Sequence, residues 1–67
     1  MKTFGNILRE LREDNSLSAK ALGCIIGVSD AAVLNWENGK NDIKSEYLKK
    51  LAEYFKVTTD YLLGLEN

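Results

Sequence analysis

The side chains able to do chemistry in this 67-residue sequence are few and mostly of one kind. There is no histidine and one cysteine, Cys24, so neither a Cys/His metal site nor an internal disulfide can be assembled. No Ser/His/Asp set, Cys/His pair or phosphate-cradling glycine loop is present, and these absences argue against catalysis. With only Lys20 close by in sequence to lower its pKa, Cys24 reads as a passive side chain. What remains are hydrogen-bonding amides and charges. Asp30, Asn35, Asn38 and Asn41 follow closely on one another, with Lys20, Lys40 and Lys44 nearby and Arg12 and Glu37 further apart. Such groups recognise rather than transform.

The elements that must position them are helices. Ser18 and Ser29 each precede an apolar-patterned segment, where a hydroxyl can accept from a free first-turn amide. Leu22, Ile25 and Ile26 follow the first cap at helical spacing, and Val33 and Trp36 follow the second. Gly27 and Gly39 stand where helices end. The spacing predicts helices at about 18–26 and 29–38 joined by the tight Gly27-Val28-Ser29 junction.

Upstream, Phe4, Leu8 and Leu11 form one stripe of a helix over 3–14, capped by Thr3, with Ile7 widening the stripe or partly exposed. Downstream of a loop at 39–44, Tyr47, Leu48, Leu51, Ala52 and Phe55 keep helical spacing to about residue 55, with Asp42 as the expected cap. Thr58 caps a last helix through Leu63, ended by Gly64. The aromatic residues Trp36, Tyr47, Tyr54, Phe55 and Tyr61 fall at spacings that suit packing better than stacking on single strands.

At this point the chain resembles a known family, the lambda-repressor and Cro-like (XRE-type) helix-turn-helix regulators. The resemblance is carried by Gly23, Gly27, Val28, Val33 and Trp36, by the string Trp36-Glu37-Asn38-Gly39-Lys40, and by the segments 47–55 and 57–64. It runs from about Phe4 to Gly64 and implies an all-α, compact five-helix DNA-binding domain, here taken as a single domain over 1–67 with the helix-turn-helix at about 18–38. In this family the second helix of the pair enters the major groove. The resemblance therefore makes Asp30, Ala31, Leu34 and Asn35 the base readers. Asn35 suits adenine, whose N6 and N7 an amide can bond together, worth ~1–3 kcal/mol of discrimination. Ala31 or Ala32 would meet a thymine methyl, while Asp30 is equally well read as compensation of the helix dipole.

By the same resemblance, phosphates fall to the first-turn amides around Ser18, Ala19 and Lys20, and to Asn38, Lys40 and Asn41, with Lys44 adjoining. Family members often carry glutamine where Ala19 stands, so one hydrogen bond is missing. Arg12 and Glu37 would form a buried ion pair that orients Arg12 toward a phosphate. The dimer surface would lie near Val57, Tyr61, Leu62 and Leu65, reading half-sites about 34 Å apart. No metal, cofactor or small-molecule substrate is implied; double-stranded DNA and a second copy are the expected partners.

Charge runs against this reading. Nine basic residues against ten acidic give a net −1, and Asp30, Glu37 and Lys40 alone sum to −1 across 29–40. A basic balance is the usual footprint of nucleic-acid binding. The other reading is a protein-interaction module of the same fold, antitoxin-like or antirepressor-like, meeting a protein through the acidic Asp30 and apolar Leu34. A chain of this size buries only about 60% of its unfolded surface, so a modest core is expected. Its length suits either a complete small regulator or a domain of something longer. No apolar run near 18 residues and no signal-peptide pattern is present, and a soluble cytoplasmic protein is expected.

Overall fold

In the computed structural model, which describes residues 3–66, the chain folds into five helices, with no strand among the described residues. They are α1 (Phe4–Asp14), α2 (Ala19–Ile26), α3 (Asp30–Glu37), α4 (Ser45–Phe55) and α5 (Thr59–Leu62). None of these helices is long and apolar enough to cross a membrane. Four of them start as the sequence indicates. Thr3, Ser18, Ser29 and Thr58 sit in extended backbone, and each side-chain oxygen accepts from the amide three residues on.

The fourth start differs. Lys44, not Asp42, is the N-cap of α4, and it contributes no side-chain hydrogen bond. Its carbonyl instead accepts from Tyr47 and Leu48, both at 3.0 Å. Asp42 stands two residues too early to reach that turn, because Ile43 between them packs against the core.

All five helices close by one device. The chain turns into the left-handed region at Ser16, Gly27, Gly39, Lys56 and Gly64, and the next amide reaches back across the helix end. At α3, Lys40 N–H donates to the Asn35 carbonyl at 2.9 Å and Gly39 N–H to that of Trp36 at 3.3 Å. Ser16 (φ 55°) and Lys56 (φ 59°) adopt this conformation without being glycine.

The core is formed by Ile7, Leu8, Leu22, Ile26, Val33, Trp36, Leu51, Ala52 and Leu62. Ile7 is thus a core residue, while Phe4 and Leu11 pack only partly buried around it. Ile25 is corrected in the opposite sense. It is 45% exposed, because Leu22 and Ile26, about one turn apart, take the inward line and leave Ile25 on its flank, about 100° from Ile26 and about 60° from Leu22. Leu62 requires the same kind of correction, since it is fully buried and cannot belong to an outer dimer surface in this conformation. Tyr61 and Leu65 do lie outside, Leu65 at 71% exposure, and Val57 is half-buried against the core.

Candidate nucleic-acid interface

α3 is held on one side and open on the other. Val33, Trp36 and Glu37 are buried where α3 packs on α2 and α1. Asp30, Ala31 and Leu34 are exposed and Asn35 is half-buried. Spacings of three and four residues put Ala31, Leu34 and Asn35 side by side on one helical face, with Asp30 bordering Leu34. The four expected readers therefore share one uncovered surface.

Its approach to α2 depends on Gly23. A Cβ there would lie 2.6 Å from the Val28 carbonyl oxygen, inside contact distance. The close approach is to the turn backbone, and any side chain would push the start of α3 away. Ser29 then fixes the first turn by accepting from Ala32 at 3.1 Å. Asp30 folds back, its Oδ1 accepting from the Ala31 amide at 2.9 Å. That contact gives the carboxylate a local role at the positive end of the helix.

The far end of α3 is anchored by a charge cluster. Arg12 presents its planar fork to Glu37, with Nε to Oε2 at 2.6 Å and Nη2 to Oε1 at 3.0 Å. Its third nitrogen, Nη1, donates to the Leu17 carbonyl at 3.0 Å. One side chain thus ties the end of α3 to the turn from which α2 begins. The Glu37 side chain has no exposure and that of Arg12 only 14%. The Arg12 pKa is raised above its ordinary value, chiefly by the hydrogen bond it donates to Glu37 and against the opposing effect of burial.

The expected ion pair is present. Three of the five N–H groups of the Arg12 guanidinium donate within the chain, which makes the side chain a strut between elements. Arg9 is the cation at this junction that sequence reasoning missed. Its Nε donates to Glu37 Oε1 at 3.3 Å and its Nη2 to Asn38 Oδ1 at 3.1 Å, with the side chain 42% exposed. Asn38 thereby has its oxygen engaged and its amide NH₂ free to donate. Gly5 was missed too. An added Cβ would stand 2.3 Å from the Glu37 carbonyl oxygen, so α1 crosses α3 with backbone nearly in contact.

The residues expected to meet phosphates lie at the start of α2 and just after α3. Ser18 Oγ accepts from Ala21 at 3.0 Å, which leaves the first two amides of α2, those of Ala19 and Lys20, without a partner in the helix. Lys20, Lys40 and Asn41 are exposed. Asn38 and Asn41 line an open groove of about 560 Å³ that also includes Phe4, Trp36 and Ile43.

A capped helix pair joined by a tight turn, with the second helix presenting an open face, thus defines the class. Residues 8–62 match the helix-turn-helix family, and the chain belongs to that family. It is 41% identical over 64 residues to the HTH-type transcriptional repressor RghR of Bacillus subtilis, an alignment covering 94% of this chain and 47% of that protein. It is 36% identical over 63 residues to the HTH-type transcriptional activator BcrR of Enterococcus faecalis, covering 94% and 31%. The chain therefore spans less than half the length of either relative. Among solved structures, the P22 c2 repressor in complex with synthetic operator 9T superposes with a TM-score of 0.91 at 29% identity, over 98% of this chain and 100% of that one.

Proposed function

We propose that this chain is a sequence-specific DNA-binding unit of a transcriptional regulator, inserting α3 into the major groove. The observation that carries the reading is the open Asp30–Ala31–Leu34–Asn35 face on a fold similar to that of a repressor held on its operator. Asn35 bonds an adenine edge, Ala31 and Leu34 make apolar contacts, and Asp30 serves chiefly the start of α3. The amides of Ala19 and Lys20, with Ser18 beside them, receive one phosphate as a helix N-terminus does. Lys20, Asn38, Lys40 and Asn41 contact others, with Arg9 added. No catalytic step, metal or cofactor enters.

Two copies bind together through a face that includes Tyr61 and Leu65, with Val57 at its edge, and the protein works in the cytoplasm. Both repression and activation occur among its relatives, so the sign of regulation follows from where the site lies relative to a promoter.

Selection of duplexes from a random pool at about 50 mM salt, where phosphate contacts are strong, tests the reading. A two-fold symmetric winner whose affinity falls steeply with added salt supports it. No enrichment would overturn it and favour the protein-interaction reading, which the exposure of Leu34 also suits. Leu65→Lys, at a 71% exposed position, should weaken both self-association in sedimentation and operator affinity while leaving the melting temperature near that of the parent.

A further inference from the structure

α3 carries no cationic side chain. Its eight residues read Asp-Ala-Ala-Val-Leu-Asn-Trp-Glu, and Val33, Trp36 and Glu37 are buried. Asp30 offers no donor and already accepts from the Ala31 amide. Ala32 is half-buried. The outward surface reduces to the Ala31 methyl, the isobutyl group of Leu34 at 42% exposure, and the Asn35 amide. The three are contiguous at spacings of three and four residues.

This surface has a definite complement. Guanine is read in the major groove by paired donors on O6 and N7, which Arg or Lys supplies and this helix lacks. The acceptor and donor of an asparagine amide match N6 and N7 of adenine, and exposed aliphatic carbon matches the 5-methyl of thymine. A leucine set among groove edges finds no other apolar partner there.

We infer that α3 reads each half-site as A·T pairs, with Leu34 and Ala31 against thymine 5-methyl groups, Asn35 against a neighbouring adenine, and no guanine contact. This rests on the DNA-binding reading above and specifies what that site recognises. The preference comes from hydrophobic contact and one amide, so it does not depend on the cation that the helix lacks.

The test takes the selected duplex and replaces thymines by deoxyuridine one position at a time in both half-sites, following affinity by fluorescence anisotropy at fixed salt. One or two positions per half-site should weaken binding about fourfold for each methyl removed, the effect of losing one buried carbon. In Leu34→Ala, a change at a half-exposed site, the uracil penalty at one of those positions should shrink to near onefold. Uracil tolerated at every position would overturn the inference while leaving DNA binding intact. So would a half-site centre where replacing guanine by 7-deazaguanine weakens binding and uracil does not. Failure to select any duplex would overturn the DNA-binding reading, and this inference with it. Should Leu34→Ala not fold, the uracil scan on the parent protein decides alone.

Discussion

Glu37 is the residue on which the geometry of the site turns. It is a carboxylate with no solvent exposure at the end of α3, where the helix dipole disfavours it, held by Arg12 through two hydrogen bonds and by Arg9 through one. Both charges lose water, so the pair adds little net stability, but removing one partner strands the other. Arg12→Ala should cost about 3–5 kcal/mol in urea denaturation, enough to unfold much of a small domain. Replacing both, Arg12→Met with Glu37→Leu, should recover most of that loss. Arg9→Ala, at a 42% exposed side chain, should cost no more than about 1 kcal/mol. The sign of the pH dependence follows from the raised Arg12 pKa. A cation stabilised in the folded state contributes fully below its unfolded pKa and is lost only as pH rises through the higher folded value. The contribution of Arg12 to stability should therefore be constant between pH 6 and 9, as the stability difference between the parent and Arg12→Ala measured across that range would show. Asn35→Ala, by contrast, should leave melting unchanged and weaken binding of a selected duplex by ~1–3 kcal/mol.

Helix ends and helix crossings set where those residues stand. Lys56 closes α4 in a left-handed conformation at φ 59°, which costs an L-residue with a Cβ about 1 kcal/mol relative to glycine. Lys56→Gly should raise stability by up to about 1 kcal/mol, measured as a shift in urea midpoint at unchanged slope. Gly5→Ala should do the opposite. The added carbon meets backbone at Glu37 rather than a movable side chain, so a loss of about 1–3 kcal/mol or more is expected. Because that backbone belongs to the end of α3, the same substitution should also lower operator affinity in whatever fraction stays folded. The helix starts were legible at Thr3, Ser18, Ser29 and Thr58 because their hydroxyls accept from nearby amides, a signal contained within four residues. The start of α4 was not, since Lys44 caps with its backbone alone.

Over the whole molecule, what stayed hidden in the sequence was what depends on distant contacts. Nothing local connects Arg9 with Glu37, 28 positions away, and on α1 it reads as one more solvated charge. Gly5 carries no mark of the carbonyl it must accommodate. Leu62 belongs to a four-residue helix, too short for spacing to reveal an inner face, and only the packed fold shows it buried. Ile25 and Ile26 are adjacent and equally apolar, so only the packing of α2 decides between them. The open face of α3 was legible because the buried positions Val33 and Trp36 fix the opposite face by helical geometry. Charge was the misleading quantity. A net −1 counts Glu37 and Asp30 as though exposed to a partner, yet Glu37 is enclosed by two arginines and Asp30 is bonded to the start of α3.

The open face of α3, together with the start of α2, is the surface proposed to meet DNA. Backbone amide shifts of the ¹⁵N-labelled protein, followed by NMR as a selected duplex is added and compared with a scrambled duplex, test it most directly. The amides of Ala19, Lys20 and Asp30 through Asn35 should move most with the selected duplex. With the scrambled one, the changes should be smaller and confined to Ala19, Lys20 and Lys40. Changes centred on α4 and α5 alone, or an α3 indifferent to the sequence added, would contradict it.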